Sequence, residues 1–231
     1  MTDNQIKAVI FDLDGTLLDT LDDLTDAVNH ALSALGRELL SRERVRRFVG
    51  NGVPKLIERA LFYTESGKEE SGGERPRLFD ECLRLFTQYY DKHNADKTKP
   101  YNGIADMICA VKAQGIKTAI VTNKYDGAAQ ALKSRFFGGI DVAVGASDGI
   151  RPKPATDGVD KALGILGVDA ARSVYVGDGE TDVATARNCG MRVIAVSWGF
   201  RDRDVLESLK PDIIIDDPSE ITVALDDLAR A

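Results

Sequence analysis

Asp12 and Asp14 stand two positions apart, directly behind the apolar run Ala8-Val9-Ile10-Phe11, and are followed by Gly15 and Thr16. A run of that kind reads as a buried strand, so two carboxylates are delivered together at its carboxyl end. Like charges so close are costly when dry and need a compensating group. A hard divalent cation with oxygen ligands and waters is the natural one. Gly15 supplies the backbone freedom for a sharp turn. The competing reading is a pair of solvated turn residues that cap a helix.

Three later strand ends add chemistry of the same kind. Thr122 and Asn123 close the stretch "IVTN" with a hydroxyl and an amide, both able to hydrogen-bond an anion. Lys153 lies between Pro152 and Pro154, which hold its backbone outside any regular helix. Asp178 and Asp182, in "GDGETD", bring two more carboxylates four residues apart. Each has an ordinary explanation alone: a turn residue, a solvated lysine, an acidic helix start. Together they deliver oxygen ligands, a hydroxyl and an ammonium to one sheet edge.

That edge requires elements to build it. Residues 6–14 read as a strand, 19–94 as helices only, and 101–231 as alternating helix and strand. The later strands, such as "IKTAIVTN", "SVYVGD" and "RVIAVSWG", are short and rich in Val and Ile, which implies parallel pairing with right-handed helical crossovers. The expected fold is α/β: a doubly wound parallel sheet. A lone strand cannot bury itself, so the first must join that sheet and the helical block must be an insertion. The expected division is a core of residues 1–16 and 98–231 with a helical cap of 17–97, placed over the carboxyl end of the first strand. Hinges are expected near 16–20 and 95–100, where the chain crosses. The polar, glycine-rich stretch 65–76 reads as a mobile surface loop. The helix after it is expected at 77–93, with Leu78, Cys82, Leu85, Phe86 and Tyr89 on one side.

Bulk properties narrow the function. The 231 residues are 43% hydrophobic and 29% charged, with a formal net charge of −7. That charge argues against general nucleic-acid binding. It also means that an anionic substrate needs a local cation. Cys82, Cys109 and Cys189 are odd in number, widely spaced and without a C-x-x-C, so neither a disulfide framework nor a zinc site is expected. His30 and His93 read as helix-face residues. The apolar run near the N-terminus is too short for a membrane span and ends in aspartates. No membrane association is expected, and the cytoplasm is the default location.

The ordered set Asp12-x-Asp14-Gly15-Thr16, Thr122, Lys153 and Gly177-Asp178-x-x-x-Asp182 resembles the haloacid dehalogenase-like superfamily of aspartyl phosphatases. The likeness spans the chain, and "FVGNGVPKLIERAL", "VTNK", "RPKPA" and "SWGF" resemble its phosphoglycolate phosphatases. The resemblance implies that Asp12 is the nucleophile and Asp14 the acid and base, neutral when substrate binds because its carboxylate neighbour raises its pKa. It implies Mg²⁺ held by Asp12, the main-chain carbonyl of Asp14, and Asp178, with Asp182 in support. Thr122, the amide of Asn123, and Lys153 would bind the phosphoryl group. Arg47, Asn51 and Lys55 are candidate readers of a small carboxylate substrate, with an ordinary basic helix face as the alternative. The expected substrate is a small phosphorylated metabolite, 2-phosphoglycolate first. Pyrophosphate, a sugar phosphate or mutase chemistry on the same core are the alternatives, and a phospho-accepting receiver-like domain is the rival from another class. A monomer or homodimer is expected. Ala155-Thr156, Gly179 and Asn102 depart from the family's commoner residues without removing a catalytic group.

Overall fold

The computed structural model describes residues 5–62 and 75–230. The chain divides into two compact units, one of Met1–Asp19 with Pro100–Ala231 and one of Thr20–Lys99.

The first unit is built around β1 (Ala8–Phe11), in which every residue is buried. A strand apolar on both faces needs cover on both, and a parallel sheet with helical crossovers supplies it. β1 lies between β4 (Lys117–Tyr125) and β6 (Ser173–Gly177), parallel to each. The sheet order is β5-β4-β1-β6-β7-β8, completed by β5 (Val142–Ala146), β7 (Arg192–Val196) and β8 (Ile213–Ile215). All five pairings are parallel. The chain winds outward on one side of β1, then returns and winds outward on the other. This is the expected doubly wound architecture. Phe11 lies opposite Ile120 on one neighbour and Val176 on the other. The residues that follow each of these therefore emerge at one edge, where the strand order reverses.

Helices α5 (Ile104–Ala113), α6 (Asp126–Phe136), α7 (Asp157–Leu166), α8 (Glu180–Asn188), α9 (Arg203–Leu209) and α10 (Ile221–Arg230) belong to the same unit. One core cluster packs Ala8, Ile10 and Tyr175 of the sheet with Val159 and Leu163 of α7 and Val183 of α8. β1 is shorter than the strand expected at 6–14. Beyond it the N–H groups of Leu17 and Leu18 both reach the Leu13 carbonyl at 3.0 Å, so the chain curls instead of extending. β4 is longer than expected at its end, and its register against β5 shifts between Val121 and Tyr125. The two-residue strands β2 (Leu18–Asp19) and β3 (Lys99–Pro100) form a separate sheet.

The second unit is helical: α1 (Leu21–Ala34), α2 (Arg42–Phe48), α3 (Val53–Phe62) and α4 (Arg75–His93). Leu21, Leu24, Val28, Ala31 and Leu32 form the buried stripe of α1, and α1 packs chiefly on α4. The Ser41 hydroxyl caps α2 by accepting the Arg44 N–H at 3.2 Å. On α4 the buried residues are Cys82, Phe86 and Tyr90. Tyr90 is four residues after Phe86, so it takes the core position expected for Tyr89. Tyr89 instead stacks against His30 and His93, ring centroids 4.3 Å away in each case. The loop expected at 65–76 lies outside the described residues except for its last two, which open α4. The three cysteines are free thiols.

Asp23 ties this unit together. It is buried in α1, and its carboxylate accepts the Lys97 N–H at 3.0 and 3.1 Å and the Thr98 N–H at 2.9 Å. Backbone donors left unpaired on burial cost about 1–3 kcal/mol each. Asp23→Ala is therefore expected to destabilise the protein by about 2–4 kcal/mol in urea unfolding, whereas Asp23→Asn should lose clearly less.

Candidate active site

The site begins where β1 ends. Asp12 continues the ladder by donating its N–H to Val176 at 2.9 Å. Its Oδ1 accepts the Leu13 N–H at 2.7 Å and lies 2.9 Å from the Lys153 ammonium. On the neighbouring strand, Asp178 follows β6. Its Oδ2 accepts the Phe200 N–H at 2.7 Å, and its Oδ1 lies 3.4 Å from the Thr16 hydroxyl. Asp182 sits in the first turn of α8. Its Oδ2 accepts the N–H groups of Asp178 and Gly179, both at 3.1 Å, and its Oδ1 accepts from Lys153 at 2.7 Å.

Lys153 therefore stands between two carboxylates, and it also donates to the Tyr175 hydroxyl at 3.0 Å. Three acceptors match the three donors of an ammonium. The Tyr175 hydroxyl in turn donates a hydrogen bond to the Val121 carbonyl at 2.8 Å. Asn123 fixes the backbone of this lysine: its Oδ1 accepts the Lys153 N–H at 2.7 Å and its Nδ2 donates to the Lys153 carbonyl at 3.2 Å. The Asn123 amide was expected to hydrogen-bond an anion. It is engaged at both ends in holding Lys153.

Thr122 is buried at the same edge, and its hydroxyl oxygen accepts the Lys124 N–H at 3.2 Å. Asp14 pairs with Lys124, whose ammonium lies 2.9 and 3.1 Å from its two oxygens. The ammonium on its oxygens adds to the carboxylate neighbour expected for it, Asp12, with which its charge still interacts. Arg47, Asn51 and Lys55 are exposed in the helical unit, with Arg47 on Glu43 at 3.3 Å and Lys55 on Glu58.

The carboxylates of Asp12, Asp178 and Asp182 offer ligand atoms that all lie within 4.8 Å of one another, and all three residues are buried. Burial pushes Asp12 up to about 7; Lys153 opposes this and the Asp182 charge adds to it. Asp178 is pushed up to about 8, by burial first and then by the charges of Asp182 and Asp12. Burial works against the Lys153 ammonium, but Asp12 and Asp182 outweigh it and hold it well above the usual lysine range. The single lysine leaves negative charge in excess, and the donors are hard oxygens. The set fits a hard divalent cation. Two glycines make room for the Asp178 side chain. A Cβ on Gly15, whose φ is +84°, would lie 2.3 Å from Asp178 Oδ2, and one on Gly199 would lie 2.3 Å from the Asp178 Cβ.

Sequence reading missed Lys124, Tyr175 and the Phe200 N–H. Lys124 had a usable signal, since it stands two residues after Thr122 in a strand and must share its face. Tyr175 gave none beyond being an aromatic inside an apolar strand.

The wider likenesses agree with this geometry. The family described as haloacid dehalogenase-like hydrolase matches residues 9–196. The chain is 35% identical over 222 residues to a phosphoglycolate phosphatase of Mesorhizobium japonicum, with 94% of this chain and 93% of the relative covered. It is 34% identical over 203 residues to a phosphoglycolate phosphatase of Chromobacterium violaceum, covering 87% and 89%. A crystal structure from Lactobacillus delbrueckii subsp. bulgaricus, of a protein predicted to be a phosphoglycolate phosphatase, superposes with a TM-score of 0.88 at 37% identity, over 96% of this chain and 98% of that one.

Two outcomes follow from the electrostatics and the packing. Asp12 and Asp178 have folded values raised above the ordinary 3.8. Their ionisation therefore opposes folding, and the stability they allow is complete below about 4 and lost as pH rises toward about 7–8. The metal-free protein should lose thermal stability from pH 5 to 8, and an added divalent cation should raise its Tm more at pH 8 than at pH 5. Asp178→Asn should flatten both trends. Gly15→Ala should cost more than ~1 kcal/mol in denaturant unfolding and weaken divalent-cation binding measured by calorimetry.

Proposed function

The chain belongs to the haloacid dehalogenase-like hydrolases, and from that premise we propose that it is a magnesium-dependent phosphatase acting on a small phosphomonoester, 2-phosphoglycolate first among them, through an aspartyl phosphate on Asp12. The observation that carries this reading is the convergence of Asp12, Lys153, Asp178 and Asp182 on one sheet edge. Names of the relatives support the substrate.

In this reading Asp12 attacks phosphorus. Its Oδ1 is engaged by the Leu13 N–H and by Lys153, so the carboxylate plane is set and Oδ2 is the attacking oxygen. The P–O bond to the ester breaks as the Asp12–P bond forms. Asp14 gives a proton to the departing alkoxide and then takes one from the water that releases phosphate. Lys153 offsets negative charge gathered at Asp12 and the phosphoryl oxygens, and the Thr122 hydroxyl donates to one of those oxygens. Asp12 and Asp178, with the Asp14 carbonyl, would hold Mg²⁺. When bound, the ion supplies positive charge to the phosphoryl oxygens and relieves the repulsion among the carboxylates. Asp182 has both oxygens engaged by N–H groups and Lys153, so it orients Asp178 and Lys153. Residues 17–97 act as the cap, with Arg47, Asn51 and Lys55 proposed to read the substrate's carboxylate.

The test is a panel of phosphorylated metabolites assayed with Mg²⁺ for phosphate release. A kcat/KM at least ~10-fold higher for 2-phosphoglycolate than for sugar phosphates or pyrophosphate supports the substrate assignment. Uniform weak rates sink it. Asp12→Asn should abolish turnover by ~10³-fold or more while the Tm is retained. Arg47→Ala and Asn51→Ala should raise KM for 2-phosphoglycolate but not for p-nitrophenyl phosphate.

A further inference from the structure

Lys124 is the second buried lysine of the catalytic unit, and the proposed function gives it no role. Its side chain is 2% exposed, and that of Asp14 is 13% exposed. An ammonium is expensive to bury unless paired, so a lysine so deeply enclosed has been placed for its partner. The partner is engaged at both oxygens, at 2.9 and 3.1 Å. Lys153 cannot substitute, because its three donors are taken by Asp12, Asp182 and Tyr175. The two lysines divide the site: one serves the nucleophile, the other the acid and base.

The need for the second lysine is geometric. Asp14 lies beyond the end of β1, in a turn that passes through Gly15 at φ +84°. The terminal torsion of an aspartate is broad, so the backbone alone does not fix the plane of its carboxylate. A contact to both oxygens from a rigid neighbour does. Lys124 belongs to a sheet strand, and its own N–H is held by Thr122 Oγ1 at 3.2 Å. Three consecutive buried polar residues, Thr122, Asn123 and Lys124, thus lead from one strand end to the proposed phosphoryl site, to Lys153 and to Asp14.

We propose that Lys124 is a positioning residue for proton transfer: it fixes the plane of the Asp14 carboxylate through both oxygens, and when Asp14 carries the proton one oxygen stays on Lys124 while the O–H of the other faces the leaving group and gives up its proton there. This rests on the proposed role of Asp14.

The test compares two esters. An alkyl ester such as 2-phosphoglycolate must have its leaving oxygen protonated, whereas p-nitrophenolate departs without a proton. Lys124→Met is expected to lower kcat/KM for 2-phosphoglycolate by ~10²-fold and for p-nitrophenyl phosphate by less than ~10-fold. In an Asp14→Asn background, adding Lys124→Met should change kcat/KM by less than about twofold, because the partner is already disabled. Lys124→Arg should recover part of the loss. Equal losses on both esters, or additive losses in the double variant, would overturn the proposal. Should Lys124→Met not fold, Lys124→Gln is read by the same two comparisons. The two readings fail differently. An Asp14→Asn protein that does not discriminate between the esters defeats the role of Asp14. An Asp14→Asn protein that discriminates, beside a Lys124→Met protein that does not, defeats only the role of Lys124.

Discussion

Everything in the catalytic unit answers to one electrostatic constraint: buried carboxylates from β1, from the end of β6 and from the first turn of α8 meet within 4.8 Å. Burial alone pushes Asp12 and Asp178 toward their protonated forms, and their mutual repulsion adds to it. Such a cluster is stable only with positive charge among its members. Lys153 provides part of it from within the chain, and the remaining excess of oxygen donors fits a divalent ion. The glycines around Asp178 are a packing consequence. A side chain at either Gly15 or Gly199 would occupy the space of Asp178 itself.

The same constraint explains the local polarity of an acidic protein. With a net charge of −7 the chain as a whole repels a phosphorylated substrate. Positive charge is therefore concentrated, in two enclosed lysines that are each fixed by hydrogen bonds. Asn123 clamps the backbone of Lys153 through both ends of its amide, and Thr122 accepts the N–H of Lys124. Fixed dipoles and charges of this sort need little rearrangement as a reaction proceeds, which is how phosphoryl transfer is most readily accelerated.

Much of the fold was legible because its signals are local. Val- and Ile-rich runs separated by amphipathic segments dictate parallel strands with crossovers, and β4, β6 and β7 form where "IKTAIVTN", "SVYVGD" and "RVIAVSWG" stand. Asp12, Asp14, Lys153, Asp178 and Asp182 were legible because strand ends of a doubly wound sheet converge whatever the intervening loops do. Side-chain assignments based on residue type alone fared worse. Asn123 holds the Lys153 backbone, a task its residue type did not announce, and Tyr89 looks like a core residue until Tyr90 takes that place on α4. A one-residue error on a helix is a rotation of about 100°, enough to move a side chain from core to flank.

By itself the amino-acid sequence determined which groups are available and which strand end delivers each, because hydrophobic period and chain order are properties of the chain alone. Only the tertiary structure decided the pairings: Lys153 between Asp12 and Asp182, Lys124 on Asp14, Asn123 on the Lys153 backbone. Lys124 joins Asp14 across 110 positions of chain. Which ammonium reaches which carboxylate depends on the register of β1 between β4 and β6, set by packing that no local stretch encodes.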